Sequence, residues 1–177
     1  MLTPVSVAAG KEMPAGTSAR RLQLIALAQT FIVAARQLPG VSRIALLGSI
    51  TTGDPNPKDV DLLVMIDDAM DLTELARLGR RLSGHLQSLA SGADIFLASP
   101  KNHYLGRLCL WRECAPGIRL GCDALHCGRR HFLHDDLRTV RLPRWLVVSP
   151  PVEVWPEVVT RVPVPPDLSP LLQAETP

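Results

Sequence analysis

No apolar stretch in this 177-residue chain is long enough to span a membrane; the longest, residues 22–35, is interrupted by Gln23 and Gln29 and bounded by Arg36. The opening residues, MLTPVSVAAGKEMPAG, lack a charged start followed by an apolar block. No secretory signal is therefore expected, and a cytoplasmic location without a membrane partner follows. There the four cysteines are expected as thiols or metal ligands rather than disulfides. Net charge is also scarce, at +2, and argues neither for nor against nucleic acid. Lysine is rare, with 3 against 16 arginines, and no internal repeat is found. Apolar residues, by contrast, make up 46% of the chain. That suffices for a sizeable core, and the length suits one compact domain with short appendages.

Four stretches are expected. Residues 1–17, rich in Pro, Gly, Ala and Ser, read as a mobile N-terminal arm. Residues 18–100 read as the folded core. Within it Ser18 is a plausible N-cap for a helix reaching about Leu38, where Pro39-Gly40 stops it. Residues 43–47 form a short buried strand, and 51–58 are turn chemistry throughout. Residues 59–66 form a second strand, parallel or antiparallel to the first. Leucines at 72, 75, 78, 82, 86 and 89 predict a helix over 71–90 with Asp71 as its N-cap. A third strand covers 93–98. Residues 101–148 form a Cys/His/Arg-rich extension packed on the core, ending in a strand over 145–148. Residues 149–177 read as a Pro-rich tail, extended, packed as an edge and frayed at its end.

The chemistry concentrates in LLGSITTGDPNPKDVDLLV, residues 46–64. An apolar strand runs into Gly48-Ser49, and after nine intervening residues Asp59 and Asp61 open another apolar strand. Residues two apart on a strand share a face, so the two carboxylates project together, roughly 6–7 Å apart. Like charges that close repel unless a cation neutralises them or one takes a proton, and the gap suits a hard divalent ion such as Mg²⁺. Asp94 opens the third strand and can join the pair if the strands are neighbours, with helix 71–90 as the crossover. Gly48 lets backbone approach closely; Ser49 offers a hydroxyl and an amide donor. An Asp-x-Asp alone is more often a solvated strand end. The order and spacing of all three carboxylates among apolar strands make the case.

GSITTGDPNPKDVDLLV resembles the signature of the DNA polymerase β-like nucleotidyltransferase superfamily, nearest its minimal bacterial members, over about residues 44–97. The resemblance implies an α+β fold: a small mixed β-sheet with flanking helices, here carrying the Cys/His-rich C-terminal segment. It implies a metal-dependent transferase of the polymerase β-like kind. Such an enzyme moves a nucleoside monophosphate from an NTP, ATP for example, to a hydroxyl by a two-metal mechanism. Asp59, Asp61 and Asp94 would be the catalytic carboxylates and would hold Mg²⁺ or Mn²⁺, with Asp94 also serving the attacking hydroxyl. Gly48 and Ser49 would grip the phosphates. Two positions depart from the pattern. Ile50, Thr51 and Thr52 stand where basic residues often follow Gly-Ser, and Lys58 stands where Ser often precedes the first Asp. Lys58 either supplies a phosphate-binding charge or is a solvated turn residue. The acceptor is left open: a protein, an RNA end, a small molecule, or a helical partner protein. The rival reading is a non-catalytic nucleotide-binding or antitoxin-like module on the same fold.

In the extension, Cys109, Cys114, Cys122 and Cys127 fall within 19 residues, spaced C-x4-C-x7-C-x4-C, with His126, His131 and His134 alongside. Two readings stay open: a structural Zn²⁺ stapling a loop-rich segment, or cysteines packed as small hydrophobes. Arg107, Arg112, Arg119, Arg129 and Arg130 with Trp111 and Tyr104 form either a surface for an acidic substrate or RNA, or a solvated face. Asp135 and Asp136 read as capping or turn residues.

Overall fold

A seven-stranded mixed sheet organises the chain, in a computed structural model that describes residues 17–114, 130–135, 137–138 and 140–173. Residues 1–16 of the arm, Cys122, Cys127, His126, Arg119, Arg129 and Asp136 lie outside the described residues. The elements are helix α1 (Ala19–Ala35), strands β1 (Val41–Leu47) and β2 (Asp59–Ile66), helix α2 (Thr73–Gln87), and strands β3 (Gly92–Ala98), β4 (Tyr104–Leu108) and β5 (Leu133–His134). Helix α3 (Arg144–Val148), strands β6 (Val152–Trp155) and β7 (Val159–Thr160) and helix α4 (Ser169–Leu172) complete them. The spatial order is β5-β4-β3-β2-β1-β6-β7. β2 and β3 are parallel and every other neighbouring pair is antiparallel. α2 is the crossover that the parallel pair needs.

Strand periodicity sorts the side chains to two faces. Ile44, Leu46, Leu62, Val64, Ile95 and Leu97 bury against α1 and α2. Ala45, Leu47, Leu63, Phe96 and Ala98 bury on the opposite face with Val147 of α3. Helix α2 lies close to the sheet because Gly79 has no side chain: a β-carbon there would stand 2.7 Å from Leu110 Cδ2 and 3.0 Å from Ile95 Cδ1. Ser18 caps α1, accepting the Arg21 N–H at 3.1 Å. Asp71 accepts the Thr73 N–H at 2.9 Å but stands one residue outside the assigned cap, Leu72.

Two expectations change, and one strand is added. Residues 145–148 are helical, not a strand: α3 starts after the extended Pro143, and Val147 plugs into the core. Residues 104–108 form a strand that lacks a clean alternation in sequence; antiparallel pairing with β3 holds it. The Pro-rich tail is more than an edge, since β6 pairs with β1 inside the sheet and β7 forms the edge. Its prolines flank the short strands, while Val152 and Val154 are buried. Buried Glu153 receives Arg161 at 2.6 Å and Arg43 at 3.3 Å, tying the tail to β1.

Candidate functional site

The carboxylates meet at one end of the sheet. Leu47, the last residue of β1, is the register partner of Asp61, and Asp61 is the register partner of Asp94 on the parallel strand β3. Asp59 is opposite Gly92. By strand parity all three carboxylates share the face that carries Leu63 and Phe96. Asp61 is half-buried; burial, then the Asp94 charge, then the Asp59 charge push its pKa up from 3.8 to about 6.

Gly48 closes the floor. It has φ +66°, a left-handed conformation, and its missing side chain leaves room for the Asp61 carboxylate, into which a β-carbon would collide. The chain then winds through a 3-10 turn, Gly48–Thr51, whose Gly48 and Ser49 carbonyls accept the Thr51 and Thr52 hydroxyls at 2.7 and 2.8 Å. Gly48→Ala should destabilise the fold by about 1 kcal/mol through left-handed strain and should displace Asp61. A melting curve unchanged within error would show that the turn absorbs the methyl freely.

The connection from Ser49 to Asp59 is held by two arginines at the start of α1. Arg21, fully buried, donates to Ile50 O at 3.0 Å and Asp54 O at 2.9 Å, and forms a fork-to-fork pair with buried Asp167 at 2.6 and 3.1 Å. Arg20 donates to Pro57 O at 2.7 Å and Leu89 O at 3.2 Å. The Ser18 hydroxyl donates to Pro55 O at 2.6 Å. None of the three advertises a site role in sequence: a tandem Arg after a helix cap reads as solvated, and its targets are carbonyls of a distant loop. Lys58 has an exposed side chain, while its carbonyl receives the Ser91 hydroxyl.

Two carboxylates have donors of their own. Asp59 Oδ1 accepts the Gly92 N–H at 3.0 Å, and Asp94 Oδ1 receives Arg107 Nη1 of β4 at 3.1 Å. Among the described residues no group of three His, Cys, Asp or Glu side chains converges closely enough to hold a metal ion. The donor set nonetheless fits a hard cation in kind: three carboxylates at one end of neighbouring strands, with Asp61 driven toward protonation by burial and then by the Asp94 and Asp59 charges. Arg107, which the sequence leaves open between a basic surface and a solvated face, is a further residue of this site that the sequence does not reveal, because its pairing depends on β4.

Residues 9–115 match a family of unknown function, DUF6932. The chain belongs to that family. The DUF6932 match covers Gly48, Ser49, Lys58, Asp59, Asp61 and Asp94, and stops before β5. No curated protein and no solved structure matches the chain.

The cysteines divide. Cys109 is buried in the main core, its N–H donating to Phe132 O at 2.7 Å; Cys114 Sγ accepts the Phe132 N–H at 3.2 Å. Arg130 donates to Met70 O. Among the described residues no helix is long and apolar enough to cross a membrane.

Proposed function

We propose that the chain has the nucleotidyltransferase fold and transfers a nucleoside monophosphate from an NTP to a hydroxyl. The observation that carries this reading is the register of Asp61 with Asp94 on parallel strands, beside the left-handed Gly48 turn. Asp59, Asp61 and Asp94 would hold Mg²⁺ or Mn²⁺, which when bound would screen phosphate charge and polarise the α-phosphate. Gly48 and Ser49 would grip the phosphates beside Asp61, and the Arg20 and Arg21 clamps hold that loop in place. The acceptor oxygen bonds to the α-phosphorus as the bond from that phosphorus to the α,β-bridging oxygen breaks. Pyrophosphate leaves with the electron pair. Asp94, with a side chain 45% exposed, is open to an acceptor and takes the hydroxyl proton once Arg107 turns aside.

A second reading has its own observation. The Arg107–Asp94 pair occupies one of the three carboxylates, as suits a non-catalytic nucleotide-binding or antitoxin-like module. The test is to incubate the protein with each α-labelled NTP, divalent metal, and cell lysate, RNA or a candidate helical partner protein. Metal-dependent label on an acceptor, absent with Asp94→Asn, is the expected result. Binding of NTPs with no transfer to any acceptor would leave the binding module.

A further inference from the structure

A cleft of about 470 Å³ opens beside Asp94, between α2, the N-terminal end of β3 and the chain leaving β4. That volume lies within the range of small-ligand sites. Its charged lining is Arg80, Arg107 and Arg112 against the single carboxylate of Asp94, a formal +2 with His134 neutral. The opposite sign prevails on the other side of Asp94, where the Asp94 and Asp59 charges act on Asp61. The wall is held in place: Arg80 Nη1 donates to Trp111 O at 3.0 Å, and its guanidinium lies over the Phe132 ring at 5.7 Å. Trp111 is 53% exposed, a large aromatic side chain at the rim of the cleft. Arg107 Nε is buried with no hydrogen-bond partner in the structure, although Nη1 is engaged by Asp94. A buried guanidinium N–H without a partner calls for an acceptor.

Guanidinium groups bind phosphate bidentately, and an exposed indole stacks on a planar base. We propose that this cleft takes a nucleoside-phosphate unit as the acceptor, its phosphate on Arg107 and Arg112, its base on Trp111 and its hydroxyl toward Asp94. An acidic peptide would satisfy the arginines and leave the indole unused. The acceptor role rests on the transferase reading; occupancy of the cleft does not. The unit comes either from the end of an RNA strand or from a free nucleotide.

The test uses the whole chain in EDTA, where metal-dependent NTP binding is removed. A fluorescein-labelled ten-nucleotide RNA with a free 3′-hydroxyl is titrated by anisotropy, and 5′-AMP is titrated separately by calorimetry. Either probe should bind. Trp111→Ala should weaken binding about tenfold, within the range of a lost base stack. Arg112→Ala should weaken it similarly and reduce its salt dependence, while Arg112→Lys should restore part of it. Both positions are exposed, so the variants should fold, as their melting temperatures will show. RNA binding that AMP does not compete assigns the strand end; AMP binding alone assigns the free nucleotide. Binding unchanged in both variants, or no binding of either probe, overturns the cleft assignment even if transfer to another acceptor is found. Binding that depends on Trp111 and Arg112, without transfer to any acceptor, keeps the cleft and removes the transferase reading.

Discussion

Asp61→Asn should lower metal-dependent transfer by about 10³-fold while raising the melting temperature of the metal-free protein. The first half follows from the proposed reaction. A carboxylate that holds the cation against the phosphates supplies several kcal/mol in the transition state, and each 1.36 kcal/mol is tenfold in rate. The second half follows from the electrostatics. Burial and the Asp94 and Asp59 charges raise the folded-state pKa of Asp61 from 3.8 to about 6. For a carboxyl raised on folding, the associated stability is fully present below pH 3.8 and is lost as pH rises through about 6. Above that, the ionised group costs the fold about 1 kcal/mol, after allowing for its partial exposure. Asparagine is nearly isosteric and carries no charge. In EDTA it should melt about 3 °C higher than wild type at pH 7.5, with the difference gone near pH 4. Melting curves across pH 4–8 check this. Equal melting temperatures at pH 7.5 would mean that the three carboxylates do not strain one another, and the case for a cation among them would weaken.

Arg21→Met should cost about 3–5 kcal/mol, the range for breaking a buried ion pair by removing one partner. The side chains of Arg21 and Asp167 are 2% and 3% exposed, so the variant leaves a carboxylate in the core with no counter-charge. It also removes the donors to Ile50 O and Asp54 O, leaving Ser18 and Arg20 to hold the loop between Ser49 and Asp59 at Pro55 and Pro57. Urea unfolding should show the loss as a lower midpoint at an unchanged slope. Arg21→Met/Asp167→Leu should recover part of it, because the orphaned charge is gone, but not the part supplied by the donors to Ile50 O and Asp54 O. A double variant no more stable than the single would place the cost in the loop carbonyls instead.

Legibility varied along the chain for reasons tied to particular residues. Val60, Leu62 and Val64 alternate with residues of the other face immediately after Asp59, so β2 was readable to its ends. Ser18 and Pro39-Gly40 bracket α1 by local chemistry alone, and the structure ends the helix at Ala35 with a turn leading to Gly40. At residues 145–148 the run WLVV is apolar with no period, compatible with strand or helix; the extended Pro143 and the fit of Val147 against Phe96 and Ala98 decide for helix. Val152–Trp155 sits among prolines, which argue against an interior strand until β1 supplies its partner.

Local order and spacing were enough to specify the nearest-neighbour features: the Ser18 cap, three of the strands, the crossover helix, and the shared face of Asp59 and Asp61. These depend on residues a few positions apart, where bond geometry fixes direction. The tertiary structure decided everything that joins distant segments. It set Asp94 in register with Asp61, 33 residues away, and gave Asp94 to Arg107. It also buried Arg21 against Asp167 across 146 residues and drew β6 into the sheet beside β1. Such pairings rest on the whole sheet closing at once, and a charge gives no sign in sequence of which distant charge it will meet.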